Sequence, residues 1–562
     1  MRRALLAVLV TALACVPARA AGWSSFQEGD LGSTAYLGLH RTPDGVLHAV
    51  WERADRATNS TDIFHRTVSS AGAFGPLVTV ANWPATSPPD IAANPGGGLI
   101  ALWGGLKPGN VESGSATAGD DGAAWTEGAE PIDRGRQVYA SPLSIESGAD
   151  GTVFEAFFGT FGTWVHRGTD GSAPSSNYQQ QLGGLAFSAP NLARDGADGS
   201  LWLGWPVFNA GQNNGAWVQQ VDQATGAPSG APIKVPGSSV EQNGATNSFG
   251  TLGRWAITGR PGRPGIFVAA PVDNDIVFWR VGQTGSITLD SGSGRHRQVA
   301  IAADPDGRVI VFWGTDTGTG TKLFARVSDT GVNSFGPAFE IPPPPGTSST
   351  LVWGLAASAQ SGALYDLFAD VTIGGEAHYW HTQGLPPPVL AKSVNTQIVK
   401  PPVLVKLPGS SAFAPLAHDS QVPVGATVDA RKGRVRIVTA LPNGKTQSAD
   451  FFEGVFSVSQ AKTGLATMVL AGGSFGSCGK TRGASAAKVK EIRRLWAAGS
   501  GKFRTKGRYA AATIRGTTWL TSDRCNGTLI RVTQGAVTVR RAKARGVVVL
   551  TRGKSVLIPA RR

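Results

Sequence analysis

Residues 298–313 read QVAIAADPDGRVIVFW. A run of small apolar residues (Val299, Ala300, Ile301, Ala302, Ala303) leads into Asp306-Gly307, and a second run (Val309, Ile310, Val311, Phe312) ends on Trp313. Asp-Gly between two β-prone runs is a strong short-range hairpin signal, because both residues of the tight turn need positive φ and these two tolerate it. The stretch therefore predicts two antiparallel strands joined at Asp306-Gly307.

The same hairpin recurs along the first two thirds of the chain. Its second strand starts at Leu47, Leu99, Val153, Leu201, Ile266, Val309 and Leu364. The fifth position is aromatic in six of these seven copies: Trp51, Trp103, Phe157, Trp205, Trp313 and Phe368. Four turns are Asp-Gly (Asp44-Gly45, Asp150-Gly151, Asp198-Gly199, Asp306-Gly307), whereas the copy at Ile266 has decayed to Arg263-Pro264-Gly265. Starts 43 to 65 residues apart match the period of a four-stranded propeller blade.

An all-β fold follows, with a β-propeller of seven blades, or six if the copy at Ile266 is an insertion. Pairing of the segment around Trp23 to Phe26 with Tyr379 to His381 is expected to close the ring, since an open ring leaves a free edge. Ala92-Ala93, Ala302-Ala303 and Ala356-Ala357 suit inner strands that crowd a central channel. The strand-end tryptophans are expected to fill the core between blades.

At 562 residues the chain exceeds what one core usually serves. Arg2 and Arg3, the apolar run Ala4 to Val16 and the small-x-small site Ala18-Arg19-Ala20 read as a secretory signal peptide over 1–20. Beyond it no stretch approaches 18 uninterrupted apolar residues, so no transmembrane segment is predicted. The expected location is secreted, extracellular or associated with the cell surface. Cys478 and Cys525 are the two cysteines left after processing, and an oxidising compartment makes them one disulfide.

Charge divides the chain. Residues 1–400 carry 24 Lys+Arg and 32 Asp+Glu; residues 401–562 carry 28 and 6, a net +22. The expected organisation is a propeller over 21–385, a Pro-rich linker over 386–402 (Pro386-Pro387-Pro388 to Pro401-Pro402) and a basic β domain over 403–562. Within that domain, Ala484 to Ala498 sets Val489, Ile492, Leu495 and Trp496 on one helical face and predicts a short amphipathic helix.

Two family resemblances add to this reading. Asp120-Asp121-Gly122-Ala123-Ala124-Trp125 resembles the Asp box of sialidase-type propellers, matching at Asp120, Gly122 and Trp125 while alanines replace its hydroxyl residues. With the repeated strands, this resemblance spans about residues 23–383. In that family the box is structural. A sialidase would also need an early Phe/Tyr-Arg-Ile-Pro segment, which is absent. Arg515-Gly516-Thr517-Thr518-Trp519, the run Thr528 to Val539 and Val547 to Leu550 resemble the FecR-type β domain over about 403–560. FecR proteins signal through a membrane-spanning helix; without such a segment, only the fold is implied.

No histidine or acidic spacing suggests a metal, and no Gly-rich phosphate loop precedes a helix, so no cofactor is predicted. Glu155 and Asp366 are odd polar residues in second strands, expected to be buried acids bonded to a neighbouring blade. Residues assigned to ligand-side loops, Arg134, Arg136, Tyr139, Arg295 and Arg297, are the candidates for gripping an extracellular ligand such as a carbohydrate. The resulting expectation is a non-enzymatic binder, with a sialidase-like glycoside hydrolase as the alternative. The basic module would hold a polyanionic cell-envelope polymer; nucleic acid is set aside because the signal peptide removes the protein from the genome.

Overall fold

The computed structural model describes residues 22–30, 36–55, 60–107, 110–128, 143–148, 150–159, 162–168, 176–180, 190–207, 213–238, 255–272, 274–292, 295–345, 352–373, 376–478, 489–542 and 546–560. The signal peptide reading, 1–20, lies outside them. Seven antiparallel sheets form the first module. Each repeated run is the second strand of its own sheet: Leu47–Asp55, Leu99–Lys107, Val153–Gly159, Leu201–Val207, Arg263–Val272, Val309–Asp316 and Leu364–Ile373. We number the blades 1 to 7 in that order. The copy at Ile266 is a complete blade of four strands, Ala256–Arg260, Arg263–Val272, Asp275–Arg280 and Ile287–Ser291, despite its decayed turn.

The ring closes as expected, because the first described strand, Ser24–Asp30, pairs with the last propeller strand, Glu376–Gly384. Ser24 faces His381, Ser25 faces Trp380 and Gln27 faces Tyr379. Phe26 is the apolar pin of this closure: its ring lies 5.0 Å from Trp51, 5.2 Å from Phe74 and 5.1 Å from Phe368. Phe26 thereby touches aromatic rings of both blades 1 and 7. The strand-end tryptophans Trp51, Trp103, Trp205 and Trp313 are all buried, as core residues between blades should be.

The turns differ from the expected two-residue form. In the quoted hairpin Asp304 N–H donates to the Arg308 carbonyl and Gly307 N–H to the Asp304 carbonyl, both at 2.9 Å, and blade 1 repeats this with Thr42, Val46 and Gly45. Only the glycine has positive φ, 99° at Gly307 and 91° at Gly45. This is a longer loop in which Pro305 or Pro43 presets the first bend and glycine turns the chain back into the second strand.

The second module is one curled sheet of 15 strands among the described residues. Phe451, Phe456, Met468, Leu495, Phe503 and Trp519 belong to its single core. Ser393–Lys400, inside the stretch expected as linker, is a strand of this sheet, paired with Ser420–Pro423 and Arg434–Ala440. Two 15-residue strands, Ala510–Arg524 and Gly527–Arg541, form its longest hairpin. The disulfide joins Cys478 to Cys525 at the tip of that hairpin, with Cα atoms 5.3 Å apart.

The predicted helix is absent: Glu491–Gly499 is a strand, held between Thr446–Phe452 and Ala510–Arg524. Leu495 and Ala497 are fully buried and alternate with Arg494, Trp496 and Ala498. Nine residues satisfy both a period of 3.6 and a period of 2, and neighbours on both edges settle it by taking the backbone hydrogen bonds on each side. Residues 484–488 of that prediction lie outside the described residues.

Candidate functional site

The central channel is surrounded by the first strands of the blades, Gly38–Arg41, Asp90–Ala93, Ser144–Ser147, Asn191–Arg194, Ala256–Arg260, Arg295–Ala303 and Val352–Gln360. Blades 6 and 7 mostly place alanine and aliphatic residues there. Blades 1 to 4 add ionisable residues, among them His40, Asp90, Glu146 and Arg194, and the first strands of blades 5 and 6 add Arg260 and, at the start of the strand, Arg295, His296 and Arg297.

Asp90 is a staple between blades. Its Oδ1 accepts the Ile91 N–H and its Oδ2 the Ile145 N–H of blade 3, both at 2.9 Å. Blade 1 yields room for it: a Cβ on Gly38 would come within 2.7 Å of the Asp90 Cα. Ser144 continues the belt by accepting the Leu192 N–H of blade 4 at 3.1 Å.

Glu146 and Arg194 are different in kind. Arg194 Nη1 donates to the Gly199 carbonyl at 2.7 Å and to Gln223 Oε1 at 2.5 Å, but its Nε and Nη2 are buried without a hydrogen-bond partner. Among the described residues the Glu146 carboxyl makes no hydrogen bond and no ion pair. Burial pushes it up to about 7, against the lowering pull of Arg194 and with a further push from Asp90. Burial likewise raises Asp90 to about 7, against its hydrogen bonds from Ile145, Ile91 and Ser144. His40 is driven down to about 4 by burial and by His48, so it is neutral at pH 7. At that pH His40 adds no charge to these strands, while Arg194 brings its guanidinium beside Glu146, and burial resists the ionisation of both Glu146 and Asp90.

A carboxyl whose folded pKa is raised adds stability that is fully present below its unfolded pKa and is lost as pH rises through the folded value. For Glu146 that window runs from roughly 4.3, its ordinary value, to about 7. Glu146→Gln is expected to reduce the fall in melting temperature between pH 5 and pH 8. An unchanged difference in melting temperature would show that this carboxyl titrates normally.

The two acids singled out in second strands do not meet, since Glu155 lies in blade 3 and Asp366 in blade 7. Asp366 is fully buried and receives Arg41 Nη2 of blade 1 at 2.6 Å, His381 Nε2 at 2.9 Å and Gln383 Nε2 at 3.1 Å. Burial alone would raise it, yet the His381 hydrogen bond and the Arg41 charge leave it below the usual carboxylate range. It is the expected buried acid bonded to a neighbouring blade. Arg134, Arg136 and Tyr139 lie outside the described residues. Arg295 and Arg297 fall on the first strand of blade 6 rather than on a loop, and their side chains are outside the described set.

The turn Asp120–Trp125 joins the third and fourth strands of blade 2. Gly122, at φ 61°, packs so tightly on His65 of blade 1 that a Cβ would sit 2.3 Å from its Cε1. Glycine is therefore required twice over, by conformation and by space.

No protein-family model and no curated protein matches the chain. Solved structures share its fold. A protein of unknown function from Dyadobacter fermentans is 14% identical, with a TM-score of 0.37, over 64% of this chain and 98% of that one. An ulvan lyase of a new polysaccharide lyase family is 10% identical, with a TM-score of 0.42, over 64% and 95%. An α-L-arabinanase from Penicillium chrysogenum is 10% identical, with a TM-score of 0.37, over 56% and 98%. Likenesses of this size concern the propeller fold alone and carry no argument about activity.

Proposed function

We propose that the protein is a secreted two-module binder: the propeller takes an extracellular glycan in its channel, and the basic module associates with polyanionic cell-envelope material. The observation that carries the first half is the pairing, on adjacent inner strands, of a guanidinium with two unpartnered buried nitrogens and a carboxyl that makes no hydrogen bond. Leaving a buried polar group unpaired costs about 1 to 3 kcal/mol. A site that keeps such groups is suited to a ligand that satisfies them. Sugar hydroxyls both donate and accept, which matches a guanidinium with unpartnered N–H groups and a carboxyl whose oxygens accept nothing from the described residues of the fold.

Binding without turnover is favoured over glycoside hydrolysis by the hydrogen bonds that the channel acids already make. Hydrolysis needs a protonated acid and an ionised carboxylate on either side of the scissile bond. Asp90 already accepts backbone N–H groups on both oxygens, one from Ile91 and one from Ile145 of the next blade, so it is committed to the fold and is not free to act as a second carboxylate beside Glu146. Secretion is supported by the sequence of 1–20 and by the Cys478–Cys525 disulfide. The sialidase-type and FecR-like assignments rest on Asp120–Trp125 and Arg515–Trp519 respectively.

A glycan array probed with the full-length protein tests the reading. Saturable hits are expected with the wild type and not with Glu146→Ala, a change that removes no hydrogen bond of the fold. An array without hits, or hits that survive this substitution, would reject the channel as the glycan site.

A further inference from the structure

The polyanion half of the proposed function leaves open where on a +22 module an acidic polymer would lie. The module's carboxylates narrow the answer. Asp429 pairs with Arg431, Asp450 with Arg434 and Arg436, Asp523 with Arg493, and Glu453 and Glu491 with Arg494. The sixth, Asp419, accepts the Ile398 N–H. Every acid is thus committed away from one face.

That face is built by the short strand Phe503–Lys506 and its neighbours. Phe503 and Thr505 are fully buried, so the alternation of a strand turns Lys502, Arg504 and Lys506 outward, about 6.8 Å apart. The adjoining strand sets Ala511 opposite Lys506 and Thr513 opposite Arg504. The next strand sets Arg540 opposite Ala511 and Thr538 opposite Thr513. Tall cations therefore flank a floor of one alanine and two threonines. Two strand spacings, roughly 9.6 Å, separate the walls. Arg504 Nε donates to Thr513 Oγ1 at 3.2 Å, which holds one wall in place. Among the described residues Lys502, Arg504, Lys506 and Arg540 make no ion pair. Beyond Arg540, Val547 and Val549 are about half exposed, at 51% and 54%, and extend the floor with apolar surface.

We infer that this trench, walled by Lys502, Arg504, Lys506 and Arg540, is the binding site of an acidic polysaccharide; the inference rests on the polyanion reading and deepens it. Its cations meet the carboxylates or sulfates of the chain, its threonine hydroxyls meet the sugar hydroxyls, and the valines receive the C–H faces of the rings. A single-stranded nucleic acid fits less well, because no aromatic ring stands on the floor for a base to stack on. An anionic membrane fits less well too, since the neighbouring apolar side chains are short and the floor is hydroxylated.

The test uses the full-length protein and immobilised polygalacturonate, with neutral dextran as the blank. The wild type should bind at about 0.05 M salt and release by about 0.5 M, as the Debye length shortens from roughly 14 to 4 Å. Arg504→Gln/Lys506→Gln/Arg540→Gln is compared with Lys392→Gln/Lys400→Gln/Lys432→Gln, which removes the same charge from exposed sites on another part of the module. Loss of three contacts worth up to about 1 kcal/mol each should weaken binding on the order of 10- to 100-fold in the trench variant, and less than about threefold in the control. Equal weakening in both triples would overturn the trench while leaving the polyanion reading standing. No binding by the wild type at low salt would overturn both. Binding to phosphatidylglycerol vesicles or to poly(dT) but not to polygalacturonate would replace the glycan as occupant. Unchanged melting temperatures in both triples confirm that a loss of binding is not a loss of fold.

Discussion

Phe26→Ala is expected to destabilise the propeller by about 3 to 5 kcal/mol, the range for truncating a buried phenylalanine. Phe26 is 1% exposed and touches three aromatic rings, two in blade 1 and one in blade 7. The cavity left behind lies at the joint where the chain's beginning meets the end of the propeller, and the register there is already broken between Ser25 and Gln27 and again between Gln27 and Asp30. Relaxation around this site can proceed by releasing the Ser24–Asp30 strand, which other core phenylalanines of the propeller do not permit. Hydrogen exchange in that strand should therefore rise well above that in the other blades. A loss below about 1 kcal/mol, outside the usual range for such a truncation, would mean that the closing strand contributes little to the ring.

The second large effect concerns the other module. The Cys478–Cys525 bridge closes a loop of 47 residues, for which the chain-entropy model gives about 4 kcal/mol. Cys478→Ser/Cys525→Ser should lower the module's unfolding transition by that order and leave the propeller's transition in place. Reductant should reproduce the shift in the wild type and do nothing further to the double variant. A module transition that ignores both treatments would show that the sheet holds this loop without the bridge. Its strand partners on either side, Phe452 against Trp496 and Trp496 against Leu520, would then suffice.

The blade count, the second strands and the ring closure were all legible because a propeller writes one strong pattern many times. An aliphatic residue opens each second strand and an aromatic one closes six of the seven, and burial keeps the run apolar from Ile266 to Ala270 even where the turn has decayed to Arg263-Pro264-Gly265. The turn conformation was not legible from Asp-Gly alone. Pro43 and Pro305, two residues ahead of each glycine, were the available sign of a longer loop, since proline favours the first bend of a type I turn. The false helix at 484–498 arose because Leu495, Trp496, Ala497 and Ala498 leave a short window ambiguous, and only sheet neighbours decide it.

The channel residues were missed for a different reason. Glu146 and Arg194 are the single ionisable positions of four-residue strands, too short to show a period. Counting back from the turns would have found them. Ser147 and Arg41 each precede the turn aspartate by three residues, so the inner strands could have been aligned as the second strands were. His40, Glu146 and Arg194 would then have stood where Ala302 and Ala303 stand in blade 6, and Asp90 where Ala300 stands. Their convergence still could not be read, because it depends on three adjacent blades meeting at the axis.

The central claim is that the propeller binds a glycan through Glu146 and Arg194 without turning it over. The most direct measurement is calorimetric titration of the full-length protein with the strongest array ligand at pH 6.5, followed by mass spectrometry of that ligand after prolonged incubation. The account predicts saturable binding, its loss in Glu146→Ala with melting temperature retained, and recovery of the ligand intact. Cleaved or modified ligand, or binding that persists in Glu146→Ala, would contradict it.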